Sequence, residues 1–304
     1  MLILIILHWL IALLLSPFLL GVISKVKAFF AGRVGPSLFQ PYYDLSKLFQ
    51  KSAVYSQTTT WVFRAAPVVA LASALLLVLV IPLGGLDAPL KFQGDIFLVA
   101  YILALARFFM IAASFDTGFS MEAMGASREA FFACLSELVL FMNFITLALL
   151  TRSISLSQMI GADSPLSWSH LGPTLLLVVA SLFVVLLAEN CRIPIDDPDT
   201  HLELTMIHEV MILDHSGVDL AYMTYAAALK FLIFATVLVP ILSGWTGVFI
   251  KDMSIYITGL LGLAIVVGIV ESSMARLRLN RVRNLLLIAF VLAFFGFIVT
   301  MWRG

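Results

Sequence analysis

Eight near-continuous apolar runs divide the chain, at approximately 2–23, 63–82, 95–114, 129–151, 171–190, 221–242, 254–273 and 284–301. Each is about 20 residues, enough for a helix to cross the hydrocarbon core with every backbone amide paired. The pattern predicts an all-α integral membrane protein of eight transmembrane helices, arranged as a single membrane domain over 1–304. Pro17 and Pro67 fall inside predicted spans, where a bundle tolerates them or kinks around them. The opening run "MLILIILHWLIALLLSPFLLG" has no basic residue before it and no small-residue cleavage pattern, so it reads as a retained first span.

The polar stretches are uneven in length and in charge. Odd-numbered loops and their flanks hold Lys25, Lys27, Arg33, Lys47, Lys51, Arg64, Arg128, Arg192, Arg276, Arg278, Arg281 and Arg283, against Lys91, Arg152, Lys251 and Arg303 opposite. By the positive-inside bias the long odd loops face the cytoplasm and both termini face outward. Within the first loop, "PYYDLSKLFQK" spaces Tyr42, Leu45, Leu48 and Phe49 as on one helical face beside Asp44, Lys47 and Lys51, predicting an amphipathic interfacial helix. The long loops favour a partner surface on that side of the membrane.

Composition narrows the function. With 62% apolar and 12% charged residues, a soluble domain is excluded; with 18 basic and 18 acidic residues, net charge points to no nucleic acid partner. Cys134 and Cys191, without a CxxC, cannot hold an iron–sulfur cluster in a standard ligation, and a disulfide between them has no support. The chain also lacks a Walker A motif, a Rossmann glycine pattern and a Ser/His/Asp catalytic motif. Thus no metal site and no self-contained catalytic centre are expected in this chain.

The informative residues are charges where hydrocarbon should be. Arg107, Glu137, Glu189, Lys230 and Glu271 fall in or at the ends of different predicted spans, with Glu129 opening the fourth. Such groups face a partner, the bundle interior or a wet cavity. Glu129 and Glu137 stand about 12 Å apart along an ideal helix, too far for a direct carboxylate dyad. Two readings remain open: buried pairs that orient helices, or a path for protons or ions. After the fifth span, "AENCRIPIDDPDTHLELTMIHEVMILDHSG" adds Asp196, Glu203, Glu209 and Asp214, and the apolar stripe Leu204, Ile207 and Met211 predicts a helix dipping into the bundle. His201, His208 and His215 recur every seven residues, too far apart for successive pairs to share one metal.

The ordered motifs "GRVGP", "YYDLSKLF", "GASRE", "AENCRIPID", the acidic segment ending "DHSG" and "ESSMARLRLNR" resemble the respiratory complex I subunit 1 family. The resemblance implies an eight-helix membrane subunit at the junction with an electron-transfer arm. By matching motif it assigns Arg33, Asp44 and Lys47 to the first-loop junction and Arg128 and Glu129 to the "GASRE" motif. It places Glu189, Arg192 and Asp196 in the acidic motif, continues that path through Glu203 and Asp214, and puts Arg276 and Arg278 in the last arginine motif. Asp214-His215-Ser216-Gly217 replaces the family's usual acidic-Tyr-Ser-Gly, and Ile195 stands where an aromatic follows the proline. These departures bring the chain closer to the membrane subunit of group 4 membrane-bound nickel–iron hydrogenases and formate hydrogenlyases than to a quinone-reducing subunit.

That resemblance implies an energy-coupling anchor in the prokaryotic cytoplasmic membrane, linking hydrogen production in a peripheral arm to proton or sodium translocation. The nickel–iron centre and iron–sulfur clusters belong to partners: hydrogenase large and small subunits, iron–sulfur subunits and, in the membrane, antiporter-like subunits and lipid. A quinone-reducing junction subunit, with quinone as its ligand, and a structural anchor without direct ion transfer are the alternatives.

Overall fold

The computed structural model describes residues 2–161, 164–166, 168–196 and 206–303. It is all-α, with α1 (Leu2–Phe30), α2 (Gln40–Phe49), α3 (Trp61–Val80), α4 (Asp95–Asp116), α5 (Ser120–Thr151), α6 (Leu156–Ile160), α7 (Trp168–Glu189), α8 (His208–Met211), α9 (Gly217–Ser243), α10 (Phe249–Ser273) and α11 (Leu279–Arg303). Eight of these are long and apolar enough to cross a membrane. All eight runs form helices, and most extend past the apolar stretch that announced them. The largest difference is at α5, which begins nine residues before Glu129 because "SMEAMGASR" is rich in good helix formers although polar. Glu129 therefore sits well inside its helix rather than opening it.

α9 is the central element. It packs against α1, α2, α3, α7 and α10, while α11 closes the far side against α5 and α7. Its apolar window is 78% buried, against 28% in α4 and α11, so it is the span most withdrawn from lipid. Two buried hydroxyls, Thr236 Oγ1 and Tyr256 Oη at 2.8 Å, satisfy each other between α9 and α10. Helix α2 lies along the outside with no fully buried residue, held by Tyr42 Oη donating to Leu14 O and by an edge contact of Phe49 with Tyr222.

The long loop 31–60 and the described segments 190–196 and 206–216 gather at the end of the bundle where α7 finishes and α9 begins. There Ser216 Oγ accepts from Val54 N at 3.0 Å, pinning one loop to the other. Gly217 makes that crossing possible: its φ is +55°, and a Cβ would lie 2.4 Å from Ser52 O. The expected dipping helix is not continuous. Over 206–216 the chain makes only the short α8 and then leaves helical geometry, so His208 and His215 do not share a helix; Leu204, His201 and Glu203 lie outside the described residues. Cys134 and Cys191 are both free thiols.

Candidate functional site: a buried charge cluster

The site is built around one arginine. Arg107, midway along α4, sends Nη2 to Glu189 at the end of α7, 2.7 Å from Oε1 and 2.5 Å from Oε2. Its Nη1 donates to Glu137 on α5, and its Nε lies 3.8 Å from Glu129, earlier on the same helix. Glu189 also accepts from Ser136 Oγ at 2.5 Å and pairs with Lys230 Nζ of α9 at 2.9 Å. Four helices thus contribute three carboxylates and two cations to one knot. The side chain of Glu189 is 3% exposed and that of Glu137 37%, so the first is the inner group and the second the outer. The delocalised guanidinium, with five fixed donors, suits this task better than an ammonium could.

Beside the knot is a cavity of about 110 Å³ between α3, α4 and α9. Small side chains, Ala70, Ala74, Ala106, Ala226 and Ala227, hold its walls apart, and Arg107, Glu129, Glu189, Lys230, Cys191 and His208 line its polar end. At roughly 30 Å³ per molecule it has room for about three waters. A smaller gap of about 10 Å³ is lined by Glu129, Ser136, Glu189, Cys191, Asp196 and Ile207. Burial, then Glu129 and Asp196, push the Cys191 thiol well above its ordinary value, so it stays protonated. Burial first, then Lys230, lower His208 to about 4 against the opposing pull of Asp196.

A second group fixes the loop over this cavity. Asp196, 1% exposed, pairs with Arg276 Nη2 at 2.7 Å and accepts from Ile207 N and His208 N at 3.0 and 3.1 Å. Arg128 Nη1 donates to Met206 O at 3.0 Å. A third group joins α1 to α10: Glu271, with its side chain fully buried, faces Lys27 at 3.2 Å and Arg192 at 3.3 Å. Arg128, Arg192 and Arg276, expected at a junction with partners, therefore hold contacts within this chain.

The remaining expected residues are dispersed. Glu209 is half-buried on α8, Asp214 is exposed on the following loop, and Arg33, Asp44, Lys47 and Arg278 are exposed on the long-loop face. Glu203 lies outside the described residues. Ser136, His208 and Lys27 also join these groups, and none is among the residues expected there. Ser136 had a legible signal, standing seven residues from Glu129 and so on the same face of α5. By the same spacing Glu122 belongs to that face; it is fully buried and accepts from Thr117 Oγ1 at 2.6 Å. His208 could not be placed from sequence, because its position depends on where the loop turns back. Among the described residues, no group of three or more His, Cys, Asp and Glu is arranged to hold a metal ion.

A family model described as NADH dehydrogenase matches residues 2–301. The chain belongs to the NADH dehydrogenase family. Within it, the chain is 30% identical over 299 residues to formate hydrogenlyase subunit 4 of Escherichia coli, covering 93% of each. It is 31% identical over 231 residues to hydrogenase-4 component C of the same organism, covering 76% of this chain and 72% of that one. An NADH-quinone oxidoreductase subunit of Anaplasma phagocytophilum is 30% identical over 250 residues, covering 73% of this chain and 70% of its own. The fold matches a chain from the membrane-bound sulfane sulfur reductase, an archaeal respiratory membrane complex, with a TM-score of 0.84 over 98% of both chains at 20% identity. As a NADH dehydrogenase family member of this kind, the chain is a membrane-embedded subunit of a hydrogenase- or complex I-like respiratory assembly.

Proposed function

We propose that this chain is the membrane anchor and energy-coupling subunit of a multisubunit nickel–iron hydrogenase, linking electron transfer and hydrogen production in a peripheral arm to proton or sodium translocation. The observation that carries the reading is the Arg107 knot. Three carboxylates and two cations from four helices meet beside a cavity that has room for water, with Glu189 and Arg107 deepest and Glu137 at the edge. Protonating one member changes the balance of the rest, because the knot has one more carboxylate than cation when all are ionised. Asp196 holds the loop and Arg276 and faces Glu129 and Glu189 across the smaller gap, giving a docked arm a route to bias the knot. The similarity to formate hydrogenlyase subunit 4 over most of both chains supports the hydrogenase assignment, with the redox centres and antiporter-like subunits as partners. By the distribution of lysine and arginine, the long loops lie in the cytoplasm and both termini outside a prokaryotic inner membrane.

A quinone-reducing junction is the second reading, favoured by the similarity to an NADH-quinone oxidoreductase subunit. The cavity at the knot, about 110 Å³, is well below the roughly 300–1,000 Å³ of a typical small-molecule pocket. Its size suits water and protons better than a quinone ring. The test is the purified complex carrying Glu189→Gln: hydrogen production that continues while ion movement in sealed vesicles is lost supports coupling. Unchanged ion movement per hydrogen rejects it, and quinone reductase activity in a complex without nickel selects the second reading.

A further inference from the structure

The loop group and the buried knot are separate ionic clusters, and His208 and Cys191 stand beside both. His208 lines the cavity with Glu129, Glu189 and Lys230, while its own backbone N–H is held by Asp196 Oδ2 at 3.1 Å. Lys230 of α9 lines the same cavity, and Asp196 lies against the segment that carries the ring. The other cavity groups are poorly suited to pass a proton in both directions. Arg107 keeps its proton, Lys230 is engaged with Glu189, and the Cys191 thiol is held protonated.

We propose that His208 is the proton-relay residue that joins the Asp196–Arg276 loop group to the Glu129–Glu189 carboxylates. This rests on the coupling reading above and adds the carrier, a proton, and its route. A proton reaching one ring nitrogen of neutral His208 is balanced by release of the N–H proton from the other nitrogen toward cavity water and a carboxylate. The ring ends as the other neutral tautomer, and rotation or the reverse transfer resets it. No charge accumulates on the ring, which matters because burial and Lys230 disfavour the imidazolium. The charged and titratable groups around it are Glu129 of α5, Arg107 of α4, Glu189 and Cys191 at the end of α7, Lys230 of α9, Asp196 and Arg276 of the loops, and Glu209 beside it on α8. Asp196 holds the backbone of this residue, so movement of the loop moves the relay.

The test uses the intact complex in sealed vesicles, with reduced methyl viologen as electron donor, measuring hydrogen evolved and protons moved. In His208→Gln, protons moved per hydrogen fall at least about tenfold, in line with the loss of a positioned acid–base group, while hydrogen evolution persists. In His208→Ala, added imidazole restores proton movement, which a packing role would not produce. An unchanged ratio in both variants overturns the relay; if Glu189→Gln then abolishes the ratio, the coupling reading survives alone, and if it does not, both fail. Should neither variant assemble, infrared difference spectra of the wild-type complex with ring-15N histidine decide: imidazole bands that change on turnover support the relay, and their absence overturns it.

Discussion

Arg107 Nη2 reaches both carboxylate oxygens of Glu189, at 2.7 and 2.5 Å, across the space between α4 and α7. Neither residue is near the other in sequence, and both side chains are largely withdrawn from bulk solvent. Removing one partner from a buried ion pair leaves the other uncompensated, at a loss of roughly 3–5 kcal/mol. Arg107→Leu is therefore expected to lower the thermal stability of the solubilised subunit sharply, while Arg107→Leu with Glu189→Leu recovers much of the loss. Melting curves of the two variants check this; equal losses would show that the pair is not the source.

The loop over the cavity depends on Asp196 in the same way, but at its edge. Its carboxylate receives Arg276 and two backbone N–H groups. Hydrogen bonds to a charged group contribute about 1.5–3 kcal/mol each. Asp196→Asn is expected to speed amide exchange across residues 207–211 by at least about tenfold, roughly 1.4 kcal/mol, leaving α5 and α7 unchanged. Exchange that rises uniformly over the bundle would point instead to global loosening.

Acid should weaken the contact between loop 212–216 and α3. His215, 4% exposed, stacks on Phe63 at 3.8 Å with both rings parallel, and burial lowers its pKa to about 4. The unfolded chain takes up this proton near the ordinary histidine value of about 6.5, so stability is fully present above that pH. It declines as pH falls from about 6.5 to about 4, by roughly 3 kcal/mol in total. His215→Phe is expected to remove that slope, read as the pH dependence of local exchange around 212–217; an unchanged slope would assign it to another group.

Helix α8 is seated on a glycine. A Cβ at Gly125 would lie 2.1 Å from Val210 Cγ1 and 2.9 Å from Ile207 O. Gly125→Ala must then displace the segment that carries His208, with an overpacking loss of roughly 1–3 kcal/mol. The expected result is a complex that assembles and evolves hydrogen but moves fewer ions per hydrogen; normal coupling would show that the segment has room to shift.

The spans were legible because lipid imposes one rule on the backbone, and each apolar run in this sequence obeys it. Their starts were less so: "SMEAMGASR" is polar, and only its helix propensity tied it to the span that follows. The charges of the knot were legible as misplaced residues, and the structure brings Arg107, Glu129, Glu137, Glu189 and Lys230 together. Which charges pair with which was not, since periodicity gives the face of a helix but not its neighbour. Glu271 shows this: it stands with the others as a misplaced charge, yet it pairs with Lys27 and Arg192 in a separate group. The apolar stripe did not reveal where the loop leaves helical geometry: over 206–216 the helix stops at Met211, and Ser216 is then pinned to Val54 by a contact between loops distant in sequence.

The burial of α9 carries a mechanical consequence. Lys230 is near its midpoint, and the same helix touches α2 through Tyr222 and Phe49 on the outside of the bundle. A close-packed rod gripped along its length transmits a displacement rather than absorbing it. An adjustment at the ammonium is therefore expected to reach α2 as tilt or rotation of α9, which would make that helix an axle between the interior charges and the protein's outer rim.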